Sequence, residues 1–390
     1  MASRSVLVVG AGVAGSTAAY WLARHGLTVS VVELAAGARS TGSPVDVRGP
    51  AFGVVERMGV LPDLRAAATL ATGMSAVDGQ GRRIGWMRLQ AGAGVEIPRT
   101  DLAAILADAA RDSIDYRSGD TVTSLMDDGS GVDVTFARGA PRRYDLVVGA
   151  DGLHSRVREL AFGTGFTRHL GLYVATVNLA GDVDDTRTVL VHNAPGRFVA
   201  VHPATGRGIA AFIFRSPELP GLDHRDTTGH QDLIGTVYAG MGWRVPELLE
   251  RVRSTDDLYF DSVSKVRLDR WSCGRIGLLG DAASCVSLLG DGSSLAIAGG
   301  AALAGAVAAH PNDLVAALRA YEARHRRLVA PRQRGAGPIS HLLVPASAGG
   351  ILARNTALRL GSPASARRRK VSRAASAPPG PDPGRAEHTG

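Results

Sequence analysis

The chain has little cysteine, almost no lysine, few aromatic residues and no run that reads as a membrane span. Cysteine occurs twice, at Cys273 and Cys285. Two cysteines are too few for a disulfide framework, and their spacing fits no metal site. Buried thiols in a reducing compartment are expected, and with them a cytoplasmic location. Met-Ala-Ser-Arg before an apolar run resembles a secretory leader, but the run reaches Gly10 within a few residues and has the form of a core strand. Ser293 to Ala309 is uncharged, yet its Gly/Ala content and its length suit a buried helix.

Aromatics make up 5% and hydrophobic residues 45% of the 390 residues, which fits an α/β protein of two lobes. Lysine appears only as Lys265 and Lys370, so arginine carries the basic balance. The net charge of +8 would suit a nucleic-acid partner, but its distribution argues otherwise. Ser362 to Gly390 holds six basic and two acidic residues, so +4 of the +8 lies there. Its Pro, Ser, Ala and Gly content cannot form a core. Residues 362–390 are therefore expected to be a disordered basic tail, with neither nucleic acid nor membrane as partner.

What is present is a nucleotide-binding signature. Val6-Leu-Val-Val-Gly10-Ala-Gly12-Val-Ala14-Gly15 reads as a strand and tight glycine turn, then a helix from near Val13, then a strand ending on Glu33. Gly10 permits the turn, Gly12 lets the backbone approach a pyrophosphate, and Gly15 lets helix and strand pack closely. Glu33 can accept hydrogen bonds from an adenosine ribose, and the helix start offers free N–H groups to phosphate. The motif alone does not separate NAD from FAD.

Further along, Ala35 to Pro50 is a long irregular segment, followed by a helix over Ala51 to Met58. Met74 to Leu89 has β character with a turn at Asp78-Gly79, and Thr100 to Asp112 reads as a helix after Arg99. Val122 to Leu125 and Val132 to Phe136 form a hairpin pattern. Leu172 to Phe214 alternates short strands and tight turns, a sheet rather than a βαβ series. Helices are expected at Gln231–Tyr238, Val245–Arg253, Ser293–Ala309 and Asp313–Arg327.

Two more motifs sit at strand ends. One is Asp145-Leu-Val-Val-Gly149-Ala-Asp151-Gly152-Leu-His-Ser155-Arg156, which alone could be an acidic helix cap. The other is Arg275-Ile-Gly-Leu-Leu-Gly280-Asp281-Ala-Ala. A strand delivering Gly-Asp to the carboxyl edge of a sheet puts the carboxylate where open α/β folds bind ligands.

With these three motifs in this order, the chain resembles the single-component, FAD-dependent aromatic hydroxylases of the para-hydroxybenzoate hydroxylase type, from about Val6 to about Leu360. Gly42-Ser-Pro-Val-Asp46-Val-Arg48-Gly49 makes it similar to members that oxidise polyketide-like compounds, including tetracycline-inactivating flavin monooxygenases. The fold this implies is α/β: a discontinuous Rossmann-like FAD-binding domain (1–72, 99–168 and 269–330) with an inserted β-sheet substrate domain (73–98 and 169–268). A C-terminal helical segment (331–361) follows.

The resemblance also implies roles. Glu33 would hold the FAD ribose. Arg39, Arg48 and Arg99 would neutralise the pyrophosphate or line the flavin, where guanidinium forks suit phosphate oxygens. Asp46 would lie with them. Val122 would meet the adenine side through its backbone, Asp151-Gly152 would handle FAD and NADPH, and Asp281 would bind the ribityl chain. Gly290, Asp291, Gly292, Ser293 and Ser294 would form the loop entering a helix whose N-terminus favours reduced, negatively charged flavin by roughly 0.3–2 kcal/mol. Two positions depart from the family pattern: Leu34 replaces a basic residue after Glu33, and Val286 to Leu289 lacks the usual proline.

The implied activity is NAD(P)H-consuming insertion of one atom of molecular oxygen into an apolar aromatic or polyketide-like substrate, through a flavin hydroperoxide. FAD is the resident cofactor, NAD(P)H a transient co-substrate, and no metal is expected. Flavin carries the chemistry, so no protein acid–base triad is required. His192, His202, Phe198, Phe212 and Phe214 are substrate-side candidates, although a structural histidine or a plain sheet core is the favoured reading for each. Epoxidation, Baeyer–Villiger oxygenation, dehydrogenation and a non-catalytic flavoprotein remain alternatives, as does a nicotinamide dehydrogenase. The oligomeric state stays open.

Overall fold

The computed structural model describes residues 3–37, 42–89, 94–179, 181, 185–204, 206–223, 226–285 and 291–361. Arg39, Gly290, the Val286–Leu289 segment and the tail lie outside these residues.

The first lobe is built on a six-stranded sheet in the order Ser272–Cys273, Ile276–Leu278, Leu146–Gly149, Ser5–Val9, Thr28–Glu33, Asp115–Ser118. All neighbours run parallel except the Ser272–Cys273 edge. Val6, Val8, Leu146, Val147 and Val148 are fully buried, as expected of strands covered on both faces. Because the strands are parallel, their carboxyl ends share one edge. Glu33 ends its strand and Gly10, Asp151 and Asp281 follow theirs, so the register alone gathers three sequence-distant motifs.

Helix Val13–Arg24 covers the sheet and packs against helix Asp291–Ala309. That second helix is long and apolar enough to cross a membrane, yet it is a core element here. Leu295, Leu303, Ala304 and Val307 join the core under the sheet, and Ile297 joins the one formed with Val54, Leu102 and Leu106. A small antiparallel sheet (Val122–Asp127, Val132–Phe136, Arg142–Tyr144) and a two-stranded ribbon (Pro44–Arg48 with Gly94–Pro98) complete the lobe's edges. Strand Gly94–Pro98 therefore pairs on the nucleotide side, not with the substrate sheet.

The second lobe is a seven-stranded sheet in the order Tyr259–Val266, Thr167–Leu179, Arg207–Arg215, Arg197–Ala204, Thr188–Ala194, Gly73–Val77, Arg83–Arg88. It is antiparallel except where Gly73–Val77 runs parallel to Thr188–Ala194. Helices Thr227–Tyr238 and Val245–Arg253 cover one face, burying Tyr173, Val199, Phe212 and Phe214 against Ile234, Tyr238, Leu248 and Val252. The other face carries Leu172, Val191, Phe198, Ala200, Ala211 and Ile213, joined at one end by Val344.

Helix Leu314–Leu343 runs unbroken through Pro331, where a sequence boundary at 330/331 is expected. Burial of Leu318, Tyr321, His325 and Val329 along one side carries it past the proline. His325 is 2% exposed, stacks on Tyr321, and its Nδ1 has no partner. Burial lowers its pKa to about 4. An unfolded histidine titrates near 6.5, so the unfolded chain takes up this proton first. The resulting stability is complete above about pH 6.5 and is lost as pH falls toward 4. Urea melts should therefore show the wild-type advantage over His325→Phe shrinking between pH 6.5 and 4.5; a pH-independent difference contradicts this.

Candidate flavin site and substrate cleft

The glycine turn is dictated by crowding. Gly10 has φ +101°, and a Cβ there would lie 2.5 Å from the Ala150 carbonyl oxygen. At Gly15 a Cβ would overlap the Gly10 carbonyl oxygen. Gly12 is different: it precedes helix Val13–Arg24 without a side-chain cap, and a Cβ would meet nothing within 4 Å. The first turn thus presents backbone N–H groups beside an open cradle, the arrangement that receives a phosphate. Glu33 stands next to it, its two carboxylate oxygens accepting from Ala11 N (2.8 Å) and Ala35 N (2.9 Å). Leu34, the departure from the family pattern, is 53% exposed.

Asp151 performs the helix-capping role that its motif also allows. It accepts from the Ser155 hydroxyl (2.5 Å) and Val157 N (3.0 Å), while Ser155 accepts from Arg158 N. Burial raises its pKa against those hydrogen bonds. Arg158, unforeseen in the sequence, donates to the Leu153 and Ala282 carbonyls and ties this motif to the Gly280-Asp281 turn. Gly152 follows with φ +80° and open space around it. Val122 is fully buried in its hairpin. Ala14, at the fingerprint helix, touches Gly280 so closely that a Cβ on Gly280 would lie 2.7 Å from its methyl.

Asp281 opens the short helix Asp281–Ser284, and Arg99 is the first residue of helix Arg99–Arg111. Both are exposed, and each lies within electrostatic reach of the other. Burial raises the Asp281 pKa and the Arg99 guanidinium opposes that rise. Arg99 lies 5.3 Å over the Tyr259 ring. Its charge is reinforced chiefly by Tyr259, then by Asp281 and Asp261. Asp261 in turn contacts His154 Nε2 at 3.0 Å. Tyr259, Asp261 and His154 were not legible as site residues, because the sheet register, not a local motif, brings them here.

On the other flank, Ser294 links strand Pro44–Arg48 to helix Asp291–Ala309, donating to the Asp46 carbonyl (2.7 Å) and accepting from Arg48 N (3.0 Å). The Arg48 guanidinium holds Asp291 at 2.6 and 2.9 Å, and Arg332 reaches the same carboxylate at 3.3 Å. Arg48, Asp291, Ser294 and Arg332 line a cavity of about 300 Å³ with Gly49, Pro50, Leu295 and Leu328. Burial raises the Asp46 pKa. Gly292 is unobstructed, and Ser293 is nearly buried. Among the described residues, no group of three His, Cys, Asp or Glu side chains could hold a metal.

The substrate-side candidates divide. Phe212 and Phe214, 0% and 1% exposed, project to the helix-covered face and are core, not cleft wall. His192 shares that face and bonds the Val77 carbonyl through Nδ1 (3.0 Å), a structural histidine. Phe198 and His202 project to the opposite face. Phe212→Ala is expected to cost about 3–5 kcal/mol in denaturant unfolding. A variant of unchanged stability would return Phe212 to the cleft.

A family model described as "FAD binding domain" matches residues 3–332. The chain belongs to this family. Its fold neighbours and relatives agree. The crystal structure of tetracycline destructase Tet(51) superposes with a TM-score of 0.82 at 28% identity, covering 92% of this chain and 96% of that one. A flavin-dependent monooxygenase of Legionella longbeachae is 31% identical over 342 residues, 84% of this chain and 87% of the relative. An uncharacterized protein of Mycobacterium tuberculosis is 38% identical over 355 residues, 86% and 95% of the two chains. The chain is an FAD-dependent monooxygenase. The residues described fit that cofactor: Gly12 leaves the phosphate cradle open, Glu33 adjoins it, and Asp281 and Arg99 lie within electrostatic reach of each other.

Proposed function

We propose that this monooxygenase takes its electrons from NAD(P)H and hydroxylates an uncharged aromatic or polyketide-like small molecule lying between the flavin site and the seven-stranded sheet. Arg99, set over Tyr259 at the end of that sheet and within electrostatic reach of Asp281, carries this reading. Bound FAD would supply the oxygen activation. Glu33, the Gly12 turn and Asp281 would hold it. The start of helix Asp291–Ala309 would favour negative charge on its reduced form. Phe198, Ala200, Ala211 and Ile213 would exclude water from the reacting face. The tetracycline destructases among the structural neighbours support a polycyclic substrate, and the free thiols Cys273 and Cys285 suit a cytoplasmic setting.

The test is NADPH oxidation by FAD-loaded protein against a panel of aromatic polyketides that includes tetracycline, with product mass as readout. Substrate-stimulated consumption with gain of one oxygen atom is expected. Oxidation that no panel member stimulates, or a product that gains no oxygen, contradicts it.

A further inference from the structure

The edge strand of the substrate sheet, Tyr259–Val266, is also a strand that meets the flavin lobe. Val266 N donates to the Cys285 carbonyl at 3.4 Å, and Cys285 Sγ donates to the Ser264 carbonyl at 3.3 Å. The strand is thereby tied to the residue that follows helix Asp281–Ser284. Along it Phe260 points into the helix-covered core. Side chains alternate in a strand, so Tyr259 and Asp261 point the other way, as Val263 does. Both reach the nucleotide lobe: Tyr259 meets Arg99, and Asp261 meets His154 beside the Asp151-Gly152 motif.

Tyr259 is half-buried, and the Arg99 guanidinium lies 5.3 Å over its ring, within the range of a cation–π contact. The guanidinium also donates to the Tyr259 hydroxyl. Among the described residues no carboxylate closes on Arg99 as Asp291 closes on Arg48, at 2.6 Å. Asp281 and Asp261 act on it through charge alone. A long, exposed side chain in the first turn of a helix needs a fixed partner to keep its charge in one place. Tyr259 is that partner. Asp281 depends on the placement: burial raises its pKa, and Arg99 is the larger of the two influences that oppose the rise, the other being the Cys285 hydrogen bond. Asp261 faces Asp281 with like charge, and His325 of helix Leu314–Leu343 lines the same small space.

We propose that Tyr259 is a positioning residue for the cofactor: it holds Arg99 in place beside Asp281, so that a strand of the substrate sheet helps set how tightly the nucleotide lobe grips FAD. This rests on the FAD site described above and goes beyond the hydroxylation reading, since it is indifferent to the substrate. Tyr259 acts through Arg99, so its effect vanishes when Arg99 is gone.

The test is a double-mutant cycle on FAD affinity, read by fluorescence titration of the flavin-stripped full chain between about pH 5 and pH 8. Tyr259→Phe keeps the ring and loses the hydroxyl. It should bind FAD about 2- to 10-fold more weakly, the worth of one hydrogen bond. Tyr259→Leu, which also loses the stack, should bind more weakly still. In both, the deficit should grow as pH falls, because a loosened Arg99 lets the Asp281 carboxyl take up its proton at higher pH. His325 titrates alike in every variant and drops out of the comparison. In an Arg99→Ala background neither substitution should add anything, since the pair works as a unit. Circular dichroism of the flavin-free variants should match wild type. Unchanged affinity in Tyr259→Phe, losses that add to that of Arg99→Ala, a deficit independent of pH, or a Tyr259 variant that fails to fold each overturns the inference. Wild-type protein that takes up no FAD would instead sink the cofactor reading, so the two failures are distinguishable.

Discussion

Gly12→Val is expected to give a folded, soluble protein that carries no flavin. The backbone at Gly12 (φ −71°, ψ −172°) is open to any residue, and a Cβ there touches nothing within 4 Å. The fold should therefore lose at most about 1 kcal/mol, since valine at this edge position breaks no contact. The same side chain would stand where the pyrophosphate meets the free N–H groups of helix Val13–Arg24, and FAD should be excluded. The neighbouring glycines predict the opposite pattern. Gly15→Val drives a side chain into the Gly10 carbonyl and should prevent the lobe from folding. Far-ultraviolet circular dichroism and flavin absorbance together separate the cases. A Gly12→Val protein that retained full flavin would show that this turn does not hold the dinucleotide.

Arg99→Ala has the second large expected effect. The guanidinium stacks on Tyr259 and faces Asp281 and Asp261, so it joins the first residue of one helix to the end of the substrate sheet. Losing a charge-assisted contact costs about 1.5–3 kcal/mol, or roughly 10- to 100-fold in FAD affinity. Arg99→Lys should rescue little, because an ammonium neither stacks nor forks in the same way. Removing Arg99 also removes the larger of the two influences, the other being the Cys285 hydrogen bond, that oppose the burial-raised pKa of Asp281. The Asp281 carboxyl then titrates higher, and residual FAD binding in Arg99→Ala should strengthen as pH rises and ionises it. Fluorescence titration of FAD measures both effects, and an unchanged dissociation constant would contradict them.

Much of the nucleotide lobe was legible because its signals are local. A buried strand, a glycine turn and a terminal acid occupy one short segment, and parallel pairing then brings Gly10, Glu33, Asp151 and Asp281 to a common edge without further information. The substrate sheet was harder to orient. Strand Arg207–Arg215 is buried on both faces from Gly208 to Phe214, so it has no alternation to say which side chains look at the cleft. Phe212 and Phe214 consequently read as well for a pocket wall as for the core they occupy. Tyr259 and Asp261 escaped notice for a related reason: their position beside Arg99 depends on register across strands distant in sequence. Asp151 shows a third limit, since one carboxylate after a strand serves equally as a helix cap or a ligand contact. Pro331 is a stop signal that tertiary burial overrides.

The central claim is that the Gly12 turn, the Glu33 strand end and the Asp281 turn together grip one FAD. Released flavin, quantified after denaturing protein purified and incubated with FAD, tests it most directly. The account predicts a yellow protein that yields one FAD per chain. A colourless protein that takes up no FAD when supplied with it would contradict the account at its foundation.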